Sequence, residues 1–125
     1  MLRILSVLSA LLLVAPALAQ GLSAEAMAKQ NQAIALSIKE QITRCWALPP
    51  GHEGLRLALD VAFFGNGALD GAPALSADSR KLASKHPALG ASVVRAVQRC
   101  APLGGLEALG AGATERFAVT VYFQS

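Results

Sequence analysis

Two stretches of this chain share one spacing. Ile34, Ile38, Ile42 and Cys45 fall at i, i+4, i+8 and i+11, and so do Leu89, Val93, Val97 and Cys100. That interval puts four side chains on one face of an α-helix. Each stretch therefore predicts a helix whose apolar stripe ends in a cysteine, and these are the chain's only two cysteines. Both stripes have to be buried, and burying them on one surface brings the cysteines to matching ends of it.

The helix limits follow from local chemistry. Ser23 is a suitable N-cap, and Glu25 puts a negative charge in the first turn, where the helix dipole favours it. Pro49-Pro50-Gly51 stops the first helix, Pro87 suits the first turn of the second, and Pro102 with Gly104-Gly105 ends that one. Residues 20–33, alanine-rich and less periodic, read as an N-terminal tether or an extension of the first helix.

Between and after the helices the period changes. Leu55, Leu57, Leu59, Val61 and Phe63 alternate with Arg56, Ala58, Asp60, Ala62 and Phe64, a strand with one buried face. Gly65-Asn66-Gly67 then marks a tight hairpin. The return strand is weak: Asp70-Gly71 predicts an irregularity, and Pro73, which cannot donate to a ladder, puts it at a sheet edge. The segment SADSRKLASKHPALG reads as polar and irregular with at most one helical turn, and GGLEALGAGA as a flexible connection. In the last stretch Phe117, Val119, Val121 and Phe123 alternate with Ala118, Thr120 and Tyr122, a second half-buried strand. The expected fold is α+β in the order α-β-β-α-β, with two helices on one face of a small three-stranded antiparallel sheet.

The N-terminus is a separate matter. MLRILSVLSALLLVAPALAQG has one basic residue, an apolar run from Ile4 to Val14 that is short for a bilayer, and a small-x-small Ala17-Leu18-Ala19. It reads as a signal peptide over residues 1–19 with cleavage after Ala19. The mature chain would hold about 105 residues, one domain, spanning residues 34–125 beyond the tether. Losing Arg3 lowers the formal net charge from +3 to about +2. The remaining charges are dispersed, which argues against nucleic acid as a partner.

Export places the cysteines in an oxidising compartment. A structural zinc site takes four ligands, commonly as close pairs, and these cysteines stand 55 positions apart. His52 and His86 pair in sequence neither with them nor with each other, so no metal or other cofactor is expected. There is no C-x-x-C, and Arg44 and Arg99 cannot act as bases for a thiol. A Cys45–Cys100 disulfide is the expectation, with two buried free thiols as the plain alternative. Trp46, beside Cys45, reads as a core plug over the bridge.

Catalytic patterns are sparse. The chain has no G-x-S-x-G, H-E-x-x-H, P-loop or G-x-G-x-x-G. Asp60 and Asp70 would meet only in a favourable hairpin register. Ser76, Ser79 and His86 share a polar segment without forming a triad, and His52 reads as exposed in a Pro/Gly turn.

Ile38 and Ile42 lead into Cys45-Trp46-Ala47-Leu48-Pro49, a C-W-x-x-P. Gly67-Ala68-Leu69 and Pro73 form a G-x-L-x-x-x-P at the hairpin, and Arg99-Cys100-Ala101-Pro102 is an R-C-A-P. Over about residues 34–124 this resembles the C-terminal domain of the TolA/TonB group, in its alphaproteobacterial TolA-like form. The resemblance implies a non-catalytic periplasmic adaptor whose partner is an envelope protein or extended peptide segment, bound by strand addition. Phe117, Ala118, Val119, Thr120, Val121, Tyr122 and Phe123 are then the candidate binding strand, because this strand is long, proline-free and last in the chain. A weak homodimer through the same edge fits the same chemistry. The chain differs from full-length relatives in lacking their long spacer. Two alternatives stay open: a small exported enzyme using Ser79 and His86, and an inner-membrane-anchored component in which the N-terminal segment is retained.

Overall fold

A computed structural model describes residues 22–125. The expected signal peptide at residues 1–19 lies outside the described residues. Helix α1 spans Ala24–Arg44, and the Ser23 hydroxyl caps it by accepting the Ala26 N–H at 3.1 Å. The alanine-rich stretch before Asn31 is an unbroken part of this helix. Ile34, Ile38 and Ile42 are fully buried.

Three strands form one antiparallel sheet in the order β2-β1-β3, with β1 at Arg56–Phe64, β2 at Ala74–Leu75 and β3 at Arg116–Gln124. The long partnership is β1 with β3, in the register Leu57↔Phe123, Leu59↔Val121, Val61↔Val119 and Phe63↔Phe117. These cross-strand pairs share the face that meets the helices. Leu57, Leu59, Phe63, Val121 and Phe123 are each at most 1% exposed. The return strand is as irregular as Asp70-Gly71 and Pro73 require. Leu69 makes an isolated bridge with Phe63, the chain then leaves the sheet, and only Ala74 and Leu75 rejoin it.

Helix α3, Pro87–Cys100, begins on Pro87 and buries Leu89, Val93, Ala96 and Val97. Together α1 and α3 cover the apolar face of the sheet, as the two stripes predict. Two connecting segments depart from expectation. The polar segment after β2 holds a nine-residue helix, α2 (Ala77–Lys85), and not a single turn. Its N-cap Ser76 accepts the Ser79 N–H, Asp78 lies in its first turn and Lys85 in its last, so capping and charge placement make up for sparse apolar content. The glycine/alanine stretch read as a flexible connection is packed. Leu106 and Ala111 are buried, as is Leu103 just ahead of it, and a 3-10 turn spans Glu107–Leu109. The Gln41 amide holds it to α1 by donating to Gly104 O at 2.8 Å and accepting the Gly104 N–H at 3.1 Å.

Helix α2 also finishes the sheet. Because β2 is two residues long, Ala58 has no strand partner on that side, and its N–H donates instead to Ser79 Oγ at 2.7 Å. Ser79 is buried. Ser79→Ala orphans that N–H, and the expected loss is about 1–3 kcal/mol in the unfolding free energy, read from urea denaturation.

Candidate functional site

The cysteines form the expected disulfide. Cys45 follows α1, Cys100 ends α3, and their Cα atoms are 5.9 Å apart, in the usual range for a bridge. Trp46 lies beside it, half-buried, with its ring edge-on to Phe123 at a centroid distance of 5.4 Å. Its Nε1–H donates to Ser92 Oγ at 3.0 Å, and Ser92 donates on to the Leu89 carbonyl at 2.6 Å. The half-buried indole is therefore satisfied as well as packed.

The candidate catalytic groups are spread out. Ser79 is engaged with Ala58 near the start of α2, whereas His86 caps its far end. Seven residues of helical rise separate them, about 10 Å along the axis. Asp60 and Asp70 are not cross-strand partners, since Asp60 stands opposite Ala74, although both line one cavity with Arg116 and Thr120. Asp60 accepts the Thr120 hydroxyl at 2.7 Å, and Asp70 accepts Arg116 Nε. His52 differs from expectation: it is half-buried, and its ring meets that of His86 edge-on with centroids 5.4 Å apart. Two histidines unrelated in sequence are neighbours because the turn after α1 folds against the α2–α3 junction.

Among the described residues, the candidate binding strand, β3, has β1 as its single strand neighbour. Ala58 O and Ala62 O accept from Ser76 and Asp70, so even-numbered residues of β1 turn their backbone groups away from β3. In an antiparallel strand these directions alternate. The register then ties the odd-numbered residues Phe117, Val119, Val121 and Phe123 to β1. Ala118, Thr120 and Tyr122 direct N–H and C=O to the free edge. Side chains divide the same way: Val121 and Phe123 are core, Phe117 and Val119 are half-buried, and Ala118 and Tyr122 are exposed. On the outer face Thr120 is fixed by Asp60, and the Arg56 guanidinium sits 4.1 Å above the Tyr122 ring.

Helix α1 runs parallel to β3, since Asn31, Gln32 and Ala35 lie near its start and Trp46 meets Phe123 near its end. Between them is a shallow groove of about 460 Å³, walled by Asn31, Gln32 and Ala35 on one side and by residues 115–119 on the other. Asn31 and Gln32 give one wall side-chain amides able to hydrogen-bond an extended chain, and residues 115–119 form the other. The sequence pointed to β3 but not to this second wall.

The family described as Uncharacterised conserved protein UCP034077 matches residues 13–125. The chain belongs to that family. No curated protein and no solved structure matches this UCP034077 chain. Among its described residues no helix is long and apolar enough to cross a membrane, and no group of three or more His, Cys, Asp or Glu is arranged to hold a metal ion.

Proposed function

We propose that the chain is an exported, non-catalytic binding module of the cell envelope, similar to the TolA/TonB C-terminal domain, that takes an extended segment of a partner protein as a fourth strand along β3. The observation that carries this reading is the nine-residue edge of β3. It is paired on one side, free of proline, and flanked by the groove against α1. A long unblunted edge is unusual in a soluble domain unless something pairs with it. Backbone groups of Ala118, Thr120 and Tyr122 supply the affinity in this mode, and the alternate side chains of the partner supply specificity against α1 and the outer face. The Cys45–Cys100 bridge supports an oxidising compartment, the periplasm, as the place of work.

Thr120 offers a clean test because its N–H faces away from β1. Proline there removes a docking donor and places a ring in the path of the incoming strand without removing a β1–β3 hydrogen bond. Thr120→Pro is expected to lower capture of an envelope partner about tenfold or more, read by pull-down from solubilised envelope and by titration once the partner is identified. Thr120→Val, which loses the hydroxyl bond to Asp60 but keeps the N–H, should leave capture intact. Equal capture by wild type and a folded Thr120→Pro variant would overturn edge docking.

A further inference from the structure

Charge is unevenly placed on this domain. Between Asp78 and Glu107 the chain carries Arg80, Lys81, Lys85, Arg95 and Arg99 and no acidic residue. Spread along the sequence, these cations are gathered by the fold onto two neighbouring helices, α2 and α3. The helices meet closely where Gly90 faces Ala83: a Cβ on Gly90 would lie 2.8 Å from that of Ala83. Arg80, Lys81, Lys85, Arg95 and Arg99 are all exposed. The ion pairs among the described residues, Arg44–Glu40 and Arg116–Asp70, use none of them. Of the acidic residues, only Asp78 belongs to either helix. Spacing adds a second observation. Lys81 and Lys85 stand at i, i+4, as do Arg95 and Arg99, so each pair shares one face of its helix. Like charges at that interval weaken a helix, and no carboxylate among the described residues pairs with either couple.

We infer that the open face of α2 and α3 docks on the surface of an anionic lipid bilayer, through the phosphates of its headgroups and without entering its core. The cations sit on the solvent sides of two helices, and the exposed residues between them include the short Ala88 and Ala91. Long Lys and Arg side chains extend from such a surface to phosphates at varied positions, and a fluid layer of headgroups needs no shaped pocket. Nucleic acid fits less well. No Phe, Trp or Tyr occurs between residues 65 and 116, so the patch has no stacking platform for bases. The location is compatible with strand docking without depending on it. Ser79 takes the Ala58 N–H on the β2 side of β1, so α2 lies across β1 from β3. A domain resting on α2 and α3 keeps the β3 edge clear.

The test uses residues 22–125 in the disulfide-bonded form, because every described element lies within them and the apolar run Ile4–Val14 would itself enter a bilayer. Phosphatidylcholine vesicles with about 30 mol% phosphatidylglycerol should pellet the protein at about 50 mM salt, and about 500 mM salt should release it. Pure phosphatidylcholine vesicles should leave it in solution. Each Lys or Arg near an anionic surface strengthens binding about fivefold, so Lys81→Gln with Arg95→Gln should weaken it about tenfold or more. Lys29→Gln with Lys39→Gln removes the same charge from α1 and should change binding less than about twofold. Trp46 fluorescence checks that both variants are folded. Equal losses in the two variants overturn the patch, as does binding to pure phosphatidylcholine or no pelleting with the anionic vesicles. Equally tight, salt-sensitive binding to duplex DNA overturns the choice of lipid. Thr120→Pro should pellet like wild type, so this test and the capture test fail separately.

Discussion

Removal of the Cys45–Cys100 bridge, as the double Cys→Ala variant, is expected to lower the unfolding free energy by about 4 kcal/mol in the chain-entropy model. The loop it closes spans 55 positions and contains β1, β2, α2 and nearly all of α3. An unfolded chain freed of that constraint gains a large conformational ensemble, while the folded chain loses little, because the Cα separation of 5.9 Å needs no backbone distortion to accommodate a bridge. The effect is large relative to the whole. Domains of this size are stable by roughly 5–15 kcal/mol, and one built on a single small sheet and two covering helices belongs towards the lower end. Trp46 is the only tryptophan and packs on Phe123, so its fluorescence follows the transition directly in urea. A loss below about 1 kcal/mol would mean that the unfolded chain is already compact around the two helix ends, and the bridge would then matter little for stability.

Where side chains repeat with a period, the fold was legible in the sequence. The stripes Ile34–Ile38–Ile42 and Leu89–Val93–Val97 gave α1 and α3, the alternations in 55–63 and 117–123 gave β1 and β3, and Pro73 marked β2 as an edge. The matching cysteine positions gave the bridge. Helix α2 was hidden because its core contribution is slight: Leu82 is its one large apolar residue, and it is held instead by Ser76 capping and by Ser79 bonding to Ala58. Leu103, Leu106 and Ala111 were hidden for a related reason. An irregular segment buries side chains without a period, and its glycines read as freedom. For the candidate site, the strand was legible but its surroundings were not. That α1 runs alongside β3, with Asn31, Gln32 and Ala35 forming the far wall, follows from tertiary packing alone. The meeting of His52 with His86 is of the same kind.

One glycine of the hairpin joins the strand pair to the segment that follows the bridge, and replacing it is the second large effect expected. Gly67 has φ +90°, a conformation that costs other residues roughly 1–2 kcal/mol. Its surroundings add more. A Cβ there would lie 1.9 Å from the Leu103 carbonyl oxygen and 2.8 Å from its carbon, both backbone atoms that no rotamer change can move. The approach is close because Gly67 O accepts the Leu103 N–H at 2.8 Å, while Gly67 N–H itself donates to Phe64 O at 2.8 Å. Leu103 is buried three residues beyond Cys100, so pushing its backbone away also disturbs the core beneath the clamp. Gly67→Ala is therefore expected to cost about 3 kcal/mol or more, conformational strain and displaced packing together. Gly71 supplies the comparison. It has φ +77° in the same return segment, but a Cβ there meets nothing within 4 Å. Gly71→Ala carries the backbone strain alone, about 1–2 kcal/mol. The difference between the two urea midpoints measures the contact with Leu103, and equal losses would show that this contact yields without cost.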